Sequence, residues 1–250
     1  MTKGPPERAV LITGGSGRLG RELVKAFPRS IHPTHSQLDV TDREDVLRFL
    51  KMTSPDIVVH CAALTGIREC EEKRNLAWKT NVIGTENLVR GLERRRHDSY
   101  FVLVSTACVF HGDQGNYVET DIPYPKNFYS LTKMWSELVV QYSRLKRWLI
   151  VRTNFTAQEK WPYSRAFTDR YGTYLFANRV AGAMKKLVSQ NMKGVVHICG
   201  DKRLSMFELA KLTTPDIQPM TMSDYVGPPL TIDMSLKSIR IPPIKLRVLD

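Results

Sequence analysis

Cysteine is scarce in this chain, four in 250 residues at positions 61, 70, 108 and 199, and no two stand in C-x-x-C spacing. A chain this long buries enough apolar surface to need no disulfide or metal staple. Three of the four cysteines lie in or beside apolar, strand-like runs, so reduced, buried thiols and a cytoplasmic location are expected. Also missing is any run of 18 or more apolar residues, and the opening MTKGPPER has no apolar signal segment, so no membrane partner is expected. His111 and His197 have no second ligand at a useful spacing, which leaves no expected metal site. Acid is short relative to base: 25 Asp and Glu against 37 Lys and Arg give a net charge of +12. That balance calls for an anionic partner, which a phosphate-bearing cofactor and substrate would satisfy. The densest basic runs, Arg94-Arg95-Arg96 and Arg144-Leu145-Lys146-Arg147, sit at predicted helix ends, where cations complement the helix dipole, and nucleic acid is not expected.

What is present begins at Ala9 to Gly20, AVLITGGSGRLG, an apolar β-branched run that stops at a glycine cluster and opens into helix-forming residues. Glycines 14, 17 and 20 fit G-x-x-G-x-x-G, a spacing that permits a tight turn, close approach to a pyrophosphate and close seating of a helix against a strand. The helix start offers unpaired N–H groups to phosphates. Val10, Leu11 and Ile12 read as a buried parallel strand, and Leu19, Leu23, Val24 and Phe27 follow a helical stripe, so the segment reads as a dinucleotide site.

Strands and helices alternate through the first two thirds. A weak strand is expected near Ser30 to Thr34, then a helix opened by a capping box Thr41-x-x-Glu44. Ile57 to Ala63 is the next buried strand, followed by a long helical region of about Asn75 to Arg96, a strand at Tyr100 to Ser105, and a helix near Phe128 to Leu145. Trp148 to Arg152 and Val195 to Cys199 read as further strands, and Ser205-x-x-Glu208 caps a late helix. The pattern predicts an α/β fold, a Rossmann-like doubly wound parallel sheet. Residues 1–155 form the dinucleotide-binding core, and 156–250 form a small C-terminal substrate-covering region packed on that core, with a further core strand near 194–200.

Tyr129 and Lys133 stand four residues apart, one above the other on a helix face. A cation there favours the phenolate, so the tyrosine can exchange a proton with a carbonyl or alcohol oxygen. Tyr142 and Lys146 repeat the spacing, but at the basic end of the helix and away from any sheet edge. Ser105 and Thr106 close the strand YFVLVST, which puts their hydroxyls at the carboxyl edge of the sheet, either as a substrate-oxygen ligand or as a loop cap.

TGGSGRLG at 13–20, LDVTD at 38–42, PDIVVHCAA at 55–63, NVIGTENL at 81–88, STACVF at 105–110, GNYVETDIPYPKNFYSLTK at 115–133 and LIVRTNF at 149–155 together resemble the extended short-chain dehydrogenase/reductases, and within them the dTDP-4-dehydrorhamnose reductase-like branch. The resemblance implies a catalytic set of Thr106, Tyr129 and Lys133, with Tyr129 as acid/base, Thr106 polarising the substrate oxygen and Lys133 on the nicotinamide ribose. It further implies cofactor contacts at Gly14, Gly17, Arg18, Leu19, Gly20, His35, Ser36, Asp39, Val40, Cys61, Ala62, Ala63, Leu64, Asn81 and Ser105, besides Tyr129 and Lys133. Substrate contacts are expected from Arg152, Asn154, Arg165 and Arg170, with Trp161 and Tyr163 available to stack on a base. The segment Thr34-His35-Ser36 lacks a carboxylate, which permits NADP as cofactor, with NAD the alternative. The implied activity is reduction of a nucleotide-linked 4-keto sugar by a homodimer paired through the helices beginning near Asn75 and Phe128. Ala107 and Cys108 depart from the branch's usual S-T-D-Y-V-F towards the sugar epimerases, and the stretch from Phe155 to Tyr171 is short. A nucleotide-sugar epimerase and a non-catalytic, cofactor-binding regulatory subunit therefore stand as alternatives.

Overall fold

The computed structural model describes residues 8–95 and 98–246, so the expectations for the opening segment and for Arg96 lie outside the described residues. Through the first part of the chain β1 (Val10–Thr13), α1 (Arg18–Ala26), α2 (Arg43–Thr53), β2 (Ile57–His60), α3 (Ile67–Glu72), α4 (Arg74–Trp78), α5 (Gly84–Arg95), β3 (Tyr100–Thr106), α6 (Phe128–Gln141) and β4 (Arg147–Thr153) follow one another. The rest adds the short strands β5 (Phe155–Thr156), β6 (Arg165–Phe167), β7 (Tyr171–Gly172) and β8 (Leu175–Phe176), then α7 (Ala177–Ser189), β9 (Gly194–Ile198), β10 (Leu204–Ser205), α8 (Met206–Lys211), β11 (Gln218–Met220) and β12 (Asp233–Met234). Among the described residues no helix is long and apolar enough to cross a membrane.

Strands β1, β2, β3, β4 and β9 form one parallel sheet in that order. Successive side chains point to opposite faces. Ile12, Val59, Val102 and Val151 meet Leu23, Val180 and Met184 of α1 and α7, while Leu11, Val58, Phe101 and Ile150 meet Val46, Leu50, Leu88 and Leu92 of α2 and α5. Both faces are covered, which is why these strands read as continuous apolar runs. The strand expected at 30–34 shrinks to a single bridge between Ile31 and Leu11. Pro33 has no amide donor, and the turn closed on the Thr34 carbonyl by the amides of Gln37 and Leu38 takes the chain away. Ile31 pairs on the side of β1 away from β2, so the chain's progress across the sheet reverses at β1, giving the doubly wound arrangement.

Local chemistry corrects three other boundaries. The N-cap of α2 is Asp42, whose carboxylate accepts from the amides of Glu44 and Asp45, so the expected Thr41 capping box does not form. The helix expected over 75–96 is interrupted by a π-helical turn at Lys79–Ile83. The helix expected to reach Leu145 stops at Gln141, and Leu145 turns into the core. The Ser205–Glu208 capping box forms as expected.

Beyond β4, α7 and β9 complete the central core, while three small sheets, β10-β7-β12, β11-β6 and β5-β8, accompany the carboxyl-edge segment. Ala107, Cys108, Val109 and Phe110 pack there with Tyr117, Trp161, Tyr174, Met234 and Leu236. The two outer strands of the central sheet have their own covers. On β1, Ile31 exchanges two backbone bonds at 2.8 Å. On β9, the Arg240 guanidinium donates to the Lys193 and Val195 carbonyls at 2.7 Å each, and Glu119 accepts from the His197 amide at 3.0 Å.

Candidate active site

The crevice opens at the carboxyl end of β1, at the reversal point where ligands of open α/β sheets bind. Gly14 has φ +70, and a Cβ there would lie 2.6 Å from the Ala62 amide nitrogen. A Cβ on Gly20 would lie 2.0 Å from the Gly14 carbonyl oxygen. Loop, helix and the end of β2 are thus in backbone contact, and larger residues at either position would part them. Gly17 is the N-cap of α1 and supplies no side-chain cap, and the first turn carries no acid. Its N–H groups and positive dipole are therefore left for an anion, which fits the pyrophosphate of a dinucleotide.

Around this loop, Cys61, Ala62, Ala63 and Leu64 line the end of β2, half-buried. Arg18 is exposed beside the loop, whereas the Leu19 side chain is buried in the core with Leu23. Val40 is buried against the π-turn exit at Gly84. The Asp39 carboxylate accepts from the Thr41 amide at 2.8 Å, which commits one of its oxygens to the local turn. Ser36 bonds Thr34 at 3.0 Å, and His35 is solvent-facing, 4.0 Å from Asp39.

Asn81 sits inside the π-helical turn. A π-turn inserts one residue and re-aims the side chains it carries, and such turns recur at functional sites. Here the Asn81 carboxamide accepts from the Leu64 amide at 2.7 Å and donates to the Leu64 carbonyl at 2.9 Å and to Thr132 at 2.8 Å, tying the end of β2 to α6. A buried chain reinforces it. Thr85 donates to the Asn81 carbonyl at 2.6 Å and so accepts from His60 Nε2 at 3.1 Å, which leaves His60 Nδ1 to accept from Thr13 at 2.6 Å. Burial, with the Lys133 charge adding to it, holds His60 neutral with a pKa lowered to about 3.

Helix α6 is started by Asn127, whose side chain accepts from the Ser130 amide at 2.9 Å. From there Tyr129, Lys133 and Glu137 fall on one face at successive i+4 steps. Thr106, at the end of β3, accepts from the Cys108 amide at 3.1 Å and lies beside the Tyr129 phenol. Thr106 and Tyr129 therefore lie side by side at the carboxyl edge, and Lys133, one turn further along α6, lies beside Cys61 at the end of β2. The electrostatics differ from the expectation. Burial pushes the Tyr129 phenol well above its ordinary range, with the neighbouring Cys108 adding to it and Thr106 opposing. The Lys133 ammonium acts instead on His60, Cys61 and Glu137. Lys133 is only 4% exposed and donates no hydrogen bond among the described residues. Burial lowers its pKa to about 8 against the opposing pull of Glu137. A buried ammonium with free donors beside the glycine loop fits a ribose diol.

Glu137 itself was not singled out by the sequence, although its spacing from Lys133 is the available signal. It is the buried partner of Arg152, with Nε to Oε1 at 3.0 Å and Nη2 to Oε2 at 2.7 Å, and it also accepts from Ser105. Arg152 is 2% exposed, its guanidinium 5.0 Å from the Phe110 ring centre. Two of its three nitrogens are thus bonded to α6 while Nη1 has no partner among the described residues, and the Ser105 hydroxyl is likewise turned to Glu137. Strand parity is the cause, because Ser105 and Arg152 are register partners and project on the same face. Asn154 donates to the Met234 carbonyl at 2.8 Å, and Arg165 is exposed and paired with Asp224 at 3.3 Å. Arg170 is buried in the second layer, Trp161 is buried with its indole on the Arg165 carbonyl, and Tyr163 is exposed. The second Tyr–Lys pair does not form a stripe, since Tyr142 caps the end of α6 and Lys146 lies beyond it. The His197 ring is buried and its Nδ1 faces the carbonyls of Tyr117 and Lys237 at 3.1 and 3.2 Å.

The model of the RmlD substrate binding domain family matches residues 8–228. Methionine adenosyltransferase 2 subunit beta of Rattus norvegicus is 27% identical over an alignment covering 89% of this chain and 78% of that protein. The dTDP-4-dehydrorhamnose reductase of Aggregatibacter actinomycetemcomitans is 27% identical, covering 80% and 76%. Among solved structures, a dTDP-4-dehydrorhamnose reductase from Bacillus anthracis in complex with NADP superposes with a TM-score of 0.85 at 23% identity, over 92% of this chain and 90% of that one, a likeness of fold. With a match that runs from the first strand through α8 and takes in the whole glycine loop and the α6 stripe, the chain belongs to the RmlD substrate binding domain family.

Proposed function

We propose that this chain is an NAD(P)-dependent oxidoreductase that reduces a nucleotide-linked 4-keto sugar. One observation carries the reading: Thr106 and Tyr129 lie side by side at the carboxyl edge of the sheet, with the buried Lys133 one turn along α6 beside Cys61, next to an uncapped glycine loop. The nicotinamide cofactor supplies the hydride when bound. Lys133 holds the ribose, Thr106 orients the substrate oxygen, and Tyr129 delivers the proton to it. A phenol held above its ordinary pKa is protonated at neutral pH, which suits the reducing direction. NADP(H) is the favoured cofactor, because the Thr34–Ser36 segment offers no acid to repel a 2′-phosphate and both His35 within it and Arg18 after the glycine loop are exposed. The chain forms a cytoplasmic homodimer joined through the helical region that begins near Asn75 with α4 and through α6, where Trp135 is exposed. Its mass by light scattering checks this.

Tyr129→Phe leaves NADPH affinity nearly intact and lowers turnover of dTDP-4-keto-6-deoxy sugars by about a hundredfold, the loss of an acid/base group. Undiminished turnover refutes the assignment. A second reading, a cofactor-binding regulatory subunit, is supported by the likeness to the rat subunit beta. NADPH that binds and is never oxidised with any of a panel of nucleotide-linked keto sugars would favour it.

A further inference from the structure

Arg170 carries a buried charge that no described group neutralises. It is 8% exposed, and its Nε donates to the Thr231 carbonyl at 2.9 Å. Its two terminal nitrogens reach only thioether sulfurs, Met206 at 3.3 Å and Met234 at 3.4 Å, which are weak acceptors. Asp233, the carboxylate next to Met234 on β12, is paired with Arg203 at 2.8 Å instead. A guanidinium taken out of water without a carboxylate is held against its own desolvation.

Two further polar groups beside it lack partners. The Tyr174 side chain is 5% exposed and its hydroxyl makes no hydrogen bond among the described residues, and the same holds for the buried Thr231 hydroxyl. Arg170, Gly172 and Tyr174 alternate along one segment, and the missing side chain of Gly172 lets the Tyr174 ring fold over it: a Cβ there would be 2.8 Å from Tyr174 Cζ. The phenol end of Tyr174 is close enough to feel the Arg170 charge, Cys108 and the Asp233 carboxylate, the last held in its pair with Arg203. Cys108 in turn neighbours the Tyr129 phenol, and its sulfur is 3.1 Å from that of Met234. One flexible methionine side chain thus separates the acid/base tyrosine from a cluster of donors with nothing strong to bind.

We propose that Arg170, Tyr174 and Thr231 form a subsite for a phosphate of the substrate's diphosphate, closed in the free protein by the displaceable side chain of Met234. The inference rests on the nucleotide-sugar reading and fixes the direction in which the substrate lies, sugar towards Tyr129 and diphosphate towards β7. Charge-assisted bonds from Arg170 to phosphate replace its two thioether contacts when ligand enters.

Calorimetric titration of dTDP and of UDP into protein saturated with NADP+ tests it, wild type against Arg170→Gln. Glutamine keeps a donor for the Thr231 carbonyl and removes the charge. The expected result is nucleoside diphosphate affinity reduced by about tenfold or more, NADP+ affinity unchanged and a melting temperature no lower than wild type. A cation kept for structure gives the reverse, a lowered melting temperature with diphosphate affinity intact, and that overturns the proposal. Tyr174→Phe, which removes only the unpartnered hydroxyl, is the second variant. It is expected to fold as wild type and to bind dTDP severalfold more weakly, and equal affinity counts against the subsite. If NADP+ binds and neither nucleotide does, the subsite fails while the cofactor reading stands. If NADP+ does not bind, the oxidoreductase reading fails, and titration without it still reports on Arg170.

Discussion

Replacing Lys133 by methionine should make the free protein more stable at neutral pH, and the gain should vanish in alkali. In the folded chain the ammonium is buried among His60, Cys61 and Glu137 and its pKa falls from 10.5 to about 8. The unfolded chain keeps the ordinary value, so between about pH 8 and 10.5 it binds more protons than the folded one and stability rises with pH. Below pH 8 the penalty is fully present, about 3 kcal/mol at 1.36 kcal/mol per unit. Lys133→Met keeps the stem and deletes the charge, and Glu137 remains paired through Arg152. Urea unfolding followed by tryptophan fluorescence at pH 7 and pH 10 measures the difference between the two proteins. Cys61 works the other way above pH 9, since burial pushes its thiol up to about 12 and the unfolded chain ionises first, but it does so in both proteins and largely cancels. Parallel pH profiles, or a variant less stable than wild type at pH 7, refute the argument that this lysine is held at the expense of the fold for a ligand.

Glu137→Leu alone leaves Arg152 buried without its carboxylate and should lower stability by about 3–5 kcal/mol, while Glu137→Leu with Arg152→Met recovers most of it. A denaturation cycle in which the two single changes simply add contradicts the pairing. Gly20→Ala drives a Cβ towards the Gly14 carbonyl, so NADPH affinity measured by fluorescence titration should fall by about tenfold or more. Gly182→Ala, in α7 with nothing within 4 Å, serves as the control and should raise stability by about 0.5–1 kcal/mol.

The legible parts of this chain were those where one physical constraint dominates. Val10 to Ile12, Ile57 to His60 and Phe101 to Leu103 are buried on both faces of a parallel sheet, and their composition says so. Gly14 and Gly20 are glycine because backbone lies where a Cβ would go, and Ser205 caps as its spacing requires. The Tyr129–Lys133 stripe followed from helix geometry, yet its electrostatics did not. Spacing fixes the face, whereas the lysine's direction depends on Cys61 and His60, far away in sequence. The π-turn at Lys79–Ile83 is built from residues that suit an α-helix equally well and leaves no mark in composition. The pairing of Arg152 was not legible, because it depends on a register position shared with Ser105 that turns both towards α6, where Glu137 stands four residues beyond Lys133. The carboxyl-edge layer was hardest, since its strands of two or three residues are too short to show a period.

The guard that Arg240 and Glu119 place on β9, together with Ile31 alongside β1, bears on how copies of this molecule meet. Both rims of the central sheet already have backbone or side-chain partners. A neighbour cannot extend the ladder by laying its own chain alongside, so runaway stacking into fibrils is blocked at its first step.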